Sequence, residues 1–207
     1  MHQTRQETTT KIPIQRKGTK YVARALYNPK NAVPALIAIR DMLKLARTAK
    51  EVNQLRKEKL IKINGRTVLD AREGVQLFGV LTVGDKNYKL SILPTNKFAF
   101  EETKESKSRL CKITGKRLVN KGKQQLSLHD GSSVIGKSEM KVGDSLYLDD
   151  SQKIVKHVTL KAGVSAFVVA GRYVGQEVKV SNVEGKKVTV KVEDKEVTLP
   201  VSNVYAQ

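Results

Sequence analysis

Tryptophan is absent from this chain, and aromatic residues make up only 5% of its 207 residues. A surface that stacks unpaired nucleic-acid bases uses several aromatic side chains, so the composition disfavours that kind of site. The single cysteine, Cys111, excludes an internal disulfide and leaves no second thiolate for a typical structural zinc site. We expect Cys111 to be a small core residue in a reducing compartment.

Long apolar segments are also missing. No run approaches the roughly 20 apolar residues that cross a bilayer, and no apolar signal region follows the first cations. The sequence therefore predicts a chain that is neither secreted nor membrane-spanning and that acts in the cytoplasm. Its hydrophobic content of 39% suffices for small cores.

Residues that could form a catalytic site are few. A nucleophile needs a base within hydrogen-bond reach, and the three histidines are His2, His129 and His157. The first lies near the N-terminus, and His129 followed by Asp130 is typical of a turn at a strand end. The sequence predicts no enzyme, no metal site, no cofactor and no small-molecule substrate.

Residues 131–138 match the phosphate-binding pattern Gly-x-x-x-x-Gly-Lys-Ser/Thr. A functional loop of this kind needs a long helix directly after it, so that the helix N-terminus faces the phosphates. Only residues 139–142 separate Ser138 from a predicted turn at Gly143-Asp144. We therefore predict a β-hairpin with a basic tip here, and no nucleotide hydrolysis.

Acidic residues are scarce relative to basic ones: 20 Asp and Glu oppose 39 Lys and Arg, for a net charge of +19. Such an excess repels itself unless a polyanion compensates it, and nucleic acid is the expected partner. The excess is uneven along the chain. Seven cations face one acid in residues 1–32, ten face five in 33–83, sixteen face nine in 84–162, and six face five in 163–207.

These differences coincide with changes in pattern, and they predict an α+β chain in four parts. Residues 1–32 read as a basic arm that orders on meeting its partner. Residues 33–83 read as a small helix-strand module, and residues 84–162 as a central β domain of short strands separated by turns. Residues 163–207 have the size of a small SH3-like barrel, with Val188, Val190 and Val192 on one face.

The module begins with an apolar face that recurs every three or four residues, which predicts a helix ending near Arg47. The positions of that face are Leu36, Ile39, Leu43 and Ala46. Thr48 and Glu51 form a predicted capping box that starts a second helix at Ala49. A half-buried strand at 60–63 follows, and Asn64-Gly65 has the form of a tight hairpin turn.

Strands are predicted in the central region by short runs of β-forming residues between turn signals. These runs are residues 88–93, 97–100, 110–113, 125–129, 145–148 and 154–160.

The order of these parts resembles the archaeal and eukaryotic type of small-subunit ribosomal protein four, the S-four-e family. The resemblance covers nearly the whole chain, and no single motif carries it alone. The matching stretches are Arg16-Lys17-Gly18-Thr19-Lys20-Tyr21, Lys62-Ile63-Asn64-Gly65-Arg66, Leu128-His129-Asp130-Gly131, Lys141-Val142-Gly143-Asp144 and Val168-Val169-Ala170-Gly171-Arg172-Tyr173-Val174-Gly175.

The resemblance implies a non-catalytic constituent of the small ribosomal subunit that binds ribosomal RNA and neighbouring small-subunit proteins. It also implies that residues 33–83 are an S-four-type RNA-binding module and that the C-terminal barrel is of the KOW type. Two other functions remain open: a free RNA-binding regulator or elongation factor, and an RNA-modifying enzyme.

We expect the RNA contacts to be mostly phosphate contacts from lysine and arginine. In the arm these are Arg16, Lys17, Lys20 and Arg24. In the module they are Arg40, Lys44, Arg47, Arg56, Lys57, Lys59, Lys62 and Arg66, with Asn64 shaping the turn. In the central region they are Lys112, Lys116, Arg117, Lys121 and Lys123.

Overall fold

The computed structural model describes residues 2–103, 108–119, 123–137, 139–192 and 195–207. The chain divides into two compact units, residues 1–106 and 107–207. Within the described residues the fold is mostly β, and its α- and π-helical segments all fall between residues 35 and 57. The predicted α+β class therefore overstated the helical content. Among the described residues, no helix is long and apolar enough to cross a membrane.

Among its described residues the first unit has nine strands. They are β1 (His2–Thr4), β2 (Tyr21–Ala23), β3 (Ala32–Pro34), β4 (Ile61–Ile63), β5 (Arg66–Thr67), β6 (Gly74–Gln76), β7 (Val80–Val83), β8 (Lys86–Ile92) and β9 (Phe98–Thr103). Five of them form one antiparallel sheet in the order β5-β4-β7-β8-β9, while β1 pairs with β2 and β3 pairs with β6. The turn between Val83 and Lys86 joins β7 to β8, so the boundary predicted after residue 83 falls inside this sheet.

The arm is folded, contrary to the prediction that it orders only with a partner. Strand β1 pairs with β2 along residues 2–4 and 21–23. Ile12 is buried, and the carbonyl oxygen of Lys11 accepts a hydrogen bond of 2.7 Å from the amide of Phe98 in β9. Val22 and Ala25 are buried as well. These apolar residues are too widely spaced to show periodicity, which is why the sequence concealed their role.

Helical structure begins after β3 and is shorter than predicted. Helix α1 (Ala35–Ile37) continues as a π-helical turn (Ala38–Met42), in which the amide of Leu43 donates to the carbonyl of Ala38 at 2.9 Å. The predicted helix to Arg47 is therefore wrong by several residues. The wider π turn shifts the register, and it leaves Leu43 only half-buried. Helix α2 (Ala49–Lys57) begins where the capping box predicts.

Among its described residues the second unit has ten strands. They are β10 (Arg109–Leu118), β11 (Gln124–Leu128), β12 (Ser133–Gly136), β13 (Ser145–Leu148), β14 (Ile154–Val158), β15 (Ser165–Val168), β16 (Glu177–Glu184), β17 (Lys187–Val192), β18 (Lys195–Pro200) and β19 (Val204–Ala206). They form two five-stranded antiparallel sheets, in the orders β12-β11-β10-β13-β14 and β18-β17-β16-β15-β19. All six strand runs predicted between residues 88 and 160 correspond to strands, although several bounds differ by a few residues.

Each sheet of the second unit has its own apolar core. The first core includes Cys111, Ile113, Leu126 and Leu146, and the predicted burial of Cys111 is confirmed. In the second sheet Val188, Val190 and Val192 are buried on one face of β17, as their spacing predicts. A short 3₁₀ turn (Val201–Asn203) precedes β19.

The stretch that matches a phosphate-binding loop lies in a hairpin. Residues 133–136 form β12, which pairs antiparallel with β11 from Gln124–Gly136 to Ser127–Ser133. His129 and Asp130 form the turn between these strands. The predicted hairpin is confirmed, but Lys137 follows the second strand instead of lying at the tip. Ser138 falls outside the described residues.

Candidate nucleic-acid interface

The hairpin of β4 and β5 is held in place by its own turn. Asn64 and Gly65 have positive φ angles of 51° and 78°, as the predicted tight turn requires. The side-chain oxygen Oδ1 of Asn64 accepts a hydrogen bond of 2.9 Å from the amide of Val80. The amide of Asn64 also donates to the carbonyl of Val80 at 2.9 Å. Because the turn is fixed to β7, the neighbouring Lys62 and Arg66 have defined, exposed positions.

The start of helix α2 confirms the capping box. The hydroxyl of Thr48 accepts from the amide of Glu51 at 3.3 Å. The carboxylate of Glu51 accepts from the amide of Arg47 at 2.7 Å and from the hydroxyl of Thr48 at 3.0 Å. These hydrogen bonds hold the pKa of Glu51 below its ordinary value. Val52 is buried, which fixes the rotation of the helix and leaves Lys57 exposed in the last turn.

Two predicted contacts, Lys44 and Lys59, occupy left-handed backbone positions. Their φ angles are 55° and 60°, and each residue lies just beyond the end of a helical segment. A left-handed residue commonly terminates a helix, although glycine is the usual choice. Both lysine side chains are exposed. Lysine at both positions therefore leaves two cations at helix ends, and Lys59 lies just before β4 along the chain.

Three residues predicted to contact RNA already form side-chain hydrogen bonds within the protein. Arg40 donates to both carboxylate oxygens of Asp41, at 2.9 and 2.7 Å, and this pairing raises the pKa of Arg40. Arg56 is half-buried and donates to the carbonyl of Leu69. Arg40, Lys44 and Arg47 do not form one helical stripe, because the helical segment ends at Met42.

Arg66 is the third of these contacts, and its partner was not foreseen. The carboxylate of Glu73 accepts from the guanidinium of Arg66 and from the amides of Leu69 and Asp70, at 2.7 and 3.1 Å for the two amides. The Glu73 side chain is 9% exposed, whereas that of Arg66 is 70% exposed. Glu73 therefore positions Arg66 without burying it. No sequence signal distinguishes Glu73 from the other acids.

The arm presents three of its four predicted contacts to solvent. Arg16, Lys17 and Lys20 are exposed, while Arg24 is half-buried. The unforeseen residue here is Arg5, whose guanidinium donates to the carbonyls of Thr19 and Gln15 and to the hydroxyl of Thr19. These bonds close the loop that carries the arm's cations.

A cleft of about 590 Å³ lies between this loop and the π-helical turn. Arg5, Lys17 and Arg40 line it, together with the acidic Asp41. The arm and the helical region of the first unit thus share a basic cleft.

Lys112 is not a surface contact, which corrects the prediction. It is 4% exposed, and its ammonium group donates to the carbonyls of Val201 and, at 2.6 Å, Val204. The same group lies 5.0 Å from the centroid of the Tyr205 ring. Burial lowers the pKa of Lys112 to about 8. This lysine joins β10 to the C-terminal strand and cannot reach a phosphate.

Three other cations predicted as RNA contacts in the central region lie at one end of the β10–β11 hairpin. Lys116 and Arg117 lie opposite Leu126 and Gln125, and Lys123 immediately precedes β11. All three cations are exposed, although the ammonium of Lys116 also donates to the carbonyl of Met140 at 3.0 Å. Lys121, also predicted as a contact, lies outside the described residues.

In the described part of the chain, no group of three or more His, Cys, Asp and Glu side chains could hold a metal ion. His157 contacts Asp144 at 2.9 Å, but the other oxygen of that carboxylate accepts from the amide of Leu160 at 3.1 Å. Asp144 also accepts from the amide of Lys141, and this buried carboxylate therefore stabilises the turn before β13.

This chain is strongly basic, and it exposes lysines at helix ends and on a fixed hairpin. These features are typical of the class of proteins that bind the nucleic-acid backbone. A family model described as ribosomal family S4e matches residues 84–164. The small ribosomal subunit protein eS4 of Archaeoglobus fulgidus is 31% identical over 181 residues, covering 85% of this chain and 77% of that protein. The eS4 protein of Korarchaeum cryptofilum is 31% identical over 193 residues, covering 89% of this chain and 81% of that protein.

The chain belongs to the eS4 family of ribosomal proteins. The crystal structure of the 30S ribosomal protein S4e from Thermoplasma acidophilum shares its fold, with a TM-score of 0.74 and 24% identity. That likeness covers 86% of this chain and 95% of the other. The resemblance inferred from the sequence is therefore confirmed, and the family is one of ribosomal proteins, not of enzymes.

Proposed function

We propose that this chain is a constituent of the small ribosomal subunit in the cytoplasm, where it binds ribosomal RNA and neighbouring ribosomal proteins. Its RNA contacts come mainly from the helix-hairpin region and the arm. The relatives' names supply the ribosomal context, because both are small ribosomal subunit proteins. The exposed cations of the first unit support binding through phosphate contacts.

We interpret residues 33–83 as an S-four-type module and residues 163–207 as an SH3-like KOW barrel. A short helix followed by the β4–β5 hairpin supports the first assignment. For the second, β15 to β18 form a meander, and β19 returns to pair with β15. Residues 1–32 precede this module, and the sheet that contains its β4–β5 hairpin continues past residue 83 through β8 and β9.

The observation that carries the proposal is a difference among the cations of residues 40–72. Arg40, Arg66 and Arg72 form ion pairs with acids of the same unit. Lys44, Lys57, Lys59 and Lys62 are all exposed, and none of them forms an ion pair within the described residues. Arg47 and Lys50 are likewise exposed without an ion pair among the described residues, so six such cations lie within 19 residues of chain and repel one another unless phosphates approach.

Such contacts hold the protein on the RNA but do not read its sequence. The major groove of an RNA helix is too narrow for side chains, and the aromatic content is low. Specificity therefore comes from the spacing of phosphates on a folded RNA and from neighbouring proteins. The fixed turn at Asn64 matters because it holds Lys62 and Arg66 at a constant spacing.

A charge-reversal pair tests the proposal. In the first variant Lys44, Lys57, Lys59 and Lys62 are replaced by Glu. In the matched control four exposed lysines of the last sheet, Lys179, Lys186, Lys187 and Lys191, are replaced by Glu. Both variants change the net charge equally, so any difference between them reports location. Binding to small-subunit ribosomal RNA is measured over a series of salt concentrations, after circular dichroism confirms that each variant is folded.

We expect the first variant to lose most of its affinity and the control to retain most of it. The logarithm of wild-type affinity should fall linearly with the logarithm of salt, by about 0.7 to 0.9 per phosphate contact. The first variant should show a shallower slope, because it has lost contacts. Equal losses in the two variants would mean that net charge alone governs binding, and the proposed site would be wrong.

A further inference from the structure

The two outer strands of the first sheet in the second unit share one groove. Strands β12 and β14 are the ends of the sheet order β12-β11-β10-β13-β14. Residues of both strands nevertheless line a single groove of about 900 Å³, which we call the edge groove. The sheet therefore curls until its two edges face the same space. Within the described residues neither edge pairs with another strand, so each has main-chain groups on its outer side that are available for pairing.

The two edges are not equivalent. In β14 the pairing with β13 shifts between Leu148–Ile154 and Tyr147–Lys156, which leaves Val155 as the extra residue of a bulge. A bulge interrupts the regular spacing that another strand would need, and proteins use it to protect an edge. Strand β12 pairs with β11 over all four of its residues without any shift. The edge of β12 is therefore the regular one.

Two residues that line the groove carry large apolar side chains that are exposed. Ile135 in the middle of β12 is 66% exposed, and Val155 on the opposite edge is 64% exposed. Both line the edge groove. In β12 the neighbouring Val134 is buried, as the alternation of a strand requires, so Ile135 lies on the other face. Two large apolar side chains that face water in one groove favour a partner that covers them.

The charges around the groove define that partner further. Lys137 and Lys153 contribute to the lining, whereas Glu139 is the one acidic member of the lining among the described residues. An acidic partner is favoured over a basic one. A nucleic-acid strand could contact the lysines, but it would leave both the apolar side chains and the main chain of β12 without partners.

We propose that the edge of β12 accepts an extended segment of another protein, with alternating apolar and acidic side chains, as an additional strand. Main-chain hydrogen bonds to β12 give affinity, and the apolar side chains on one face of the added strand cover Ile135 and Val155. Its acidic side chains approach Lys137 and Lys153, which lie just beyond the ends of β12 and β14. This site goes beyond RNA binding. It lies in the second unit and uses none of the four lysines that carry the proposed function.

The test uses a fluorescently labelled peptide of alternating valine and glutamate, blocked at both ends, and the full chain. A second peptide has the same side chains but carries N-methyl groups on alternate amides, which prevents strand pairing. We expect the first peptide to bind and the methylated peptide to bind at least about tenfold more weakly. Equal binding of the two peptides, or binding of neither, would overturn the proposal.

Two variants locate the site. Ile135→Glu places an acid in the groove, and Val142→Glu places one at a residue that is 56% exposed and does not line the groove. We expect the first to weaken peptide binding about tenfold or more and the second to leave it unchanged. Hydrogen exchange of the wild-type chain gives a readout without substitution, because the peptide should slow exchange in residues 133–137.

An oligouridine strand is the competing occupant. If oligouridine displaces the peptide and binds through Ile135, the groove is a nucleic-acid site and the proposal is wrong. Loss of RNA binding in the lysine variants of the first unit would not affect the peptide result, so the two proposals fail separately.

Discussion

The side-chain oxygen of Asn64 accepts a hydrogen bond from the amide of Val80 at 2.9 Å, while the φ angle of Asn64 is 51°. One residue thus supplies both the left-handed turn and the link between the hairpin and β7. Asn96 offers a comparison, since its φ angle is 59° and it is exposed. Both residues belong to the first unit.

We expect Asn64→Ala to lower the free energy of unfolding by about 1 to 3 kcal/mol more than Asn96→Ala does. Both substitutions place alanine at a positive φ angle, so backbone strain is similar and the difference reports the hydrogen bond to Val80. Urea unfolding followed by circular dichroism measures it. Equal losses in the two variants would show that the side-chain contact contributes nothing.

The capping box of α2 makes stability depend on pH. Hydrogen bonds from Arg47 and Thr48 lower the pKa of Glu51 from its ordinary value of 4.5. A lowered pKa means that the contribution of Glu51 is fully present above pH 4.5 and is lost as the pH falls through the folded-state pKa. The wild-type chain should be more stable than Glu51→Gln at neutral pH, and the two should converge in acid. A constant difference across this range would contradict the assignment.

Cys111 should be inert in the folded chain. The residue is buried, and burial together with the nearby Asp130 raises the pKa of its thiol to about 12. Because the thiolate is the reactive form, a thiol reagent at pH 8 should modify Cys111 only after unfolding. Ser181→Cys places a thiol at an exposed position of β16 and serves as the control. In that variant one of two thiols should react quickly; rapid reaction of the wild-type chain would contradict the burial.

Lys112 should affect stability and not RNA binding. Lys112→Met removes the ammonium group that donates to Val201 and Val204. We expect a loss of about 1 to 3 kcal/mol in the free energy of unfolding of the second unit. Lys123→Met removes an exposed cation and should leave stability unchanged. At a temperature where both are folded, Lys112→Met should keep the wild-type salt dependence of RNA binding. A weaker dependence of RNA affinity on salt in Lys112→Met would show that Lys112 contacts a phosphate.

Local chemistry predicted the elements that depend on neighbouring residues. The capping box at Thr48, the turn at Asn64-Gly65 and the strands with alternating valines could be identified because each is specified by residues a few positions apart. Among the described residues no helix follows the β11–β12 hairpin, and this was predictable for the same reason, since too few residues precede the next turn.

Contacts between residues far apart along the chain could not be predicted from the sequence. The burial of Lys112 depends on carbonyl groups 89 and 92 residues away along the chain. The folding of the arm depends on β9, and the extension of the first sheet past residue 83 depends on which strands β8 pairs with. A lysine in a basic stretch looks like a surface residue until its partners are known. The π-helical turn after α1 likewise carries no sequence signal that distinguishes it from an α-helix.

We expect this chain to function as part of the small ribosomal subunit and not as a free RNA-binding protein or RNA-modifying enzyme. Sedimentation of a cell extract through a sucrose gradient, with detection of the chain in each fraction, tests it most directly. Nearly all of the chain should travel with small subunits at low salt and be released as the salt concentration rises. A large pool that remains at the top of the gradient at low salt would show that the chain is not a constituent of the small subunit.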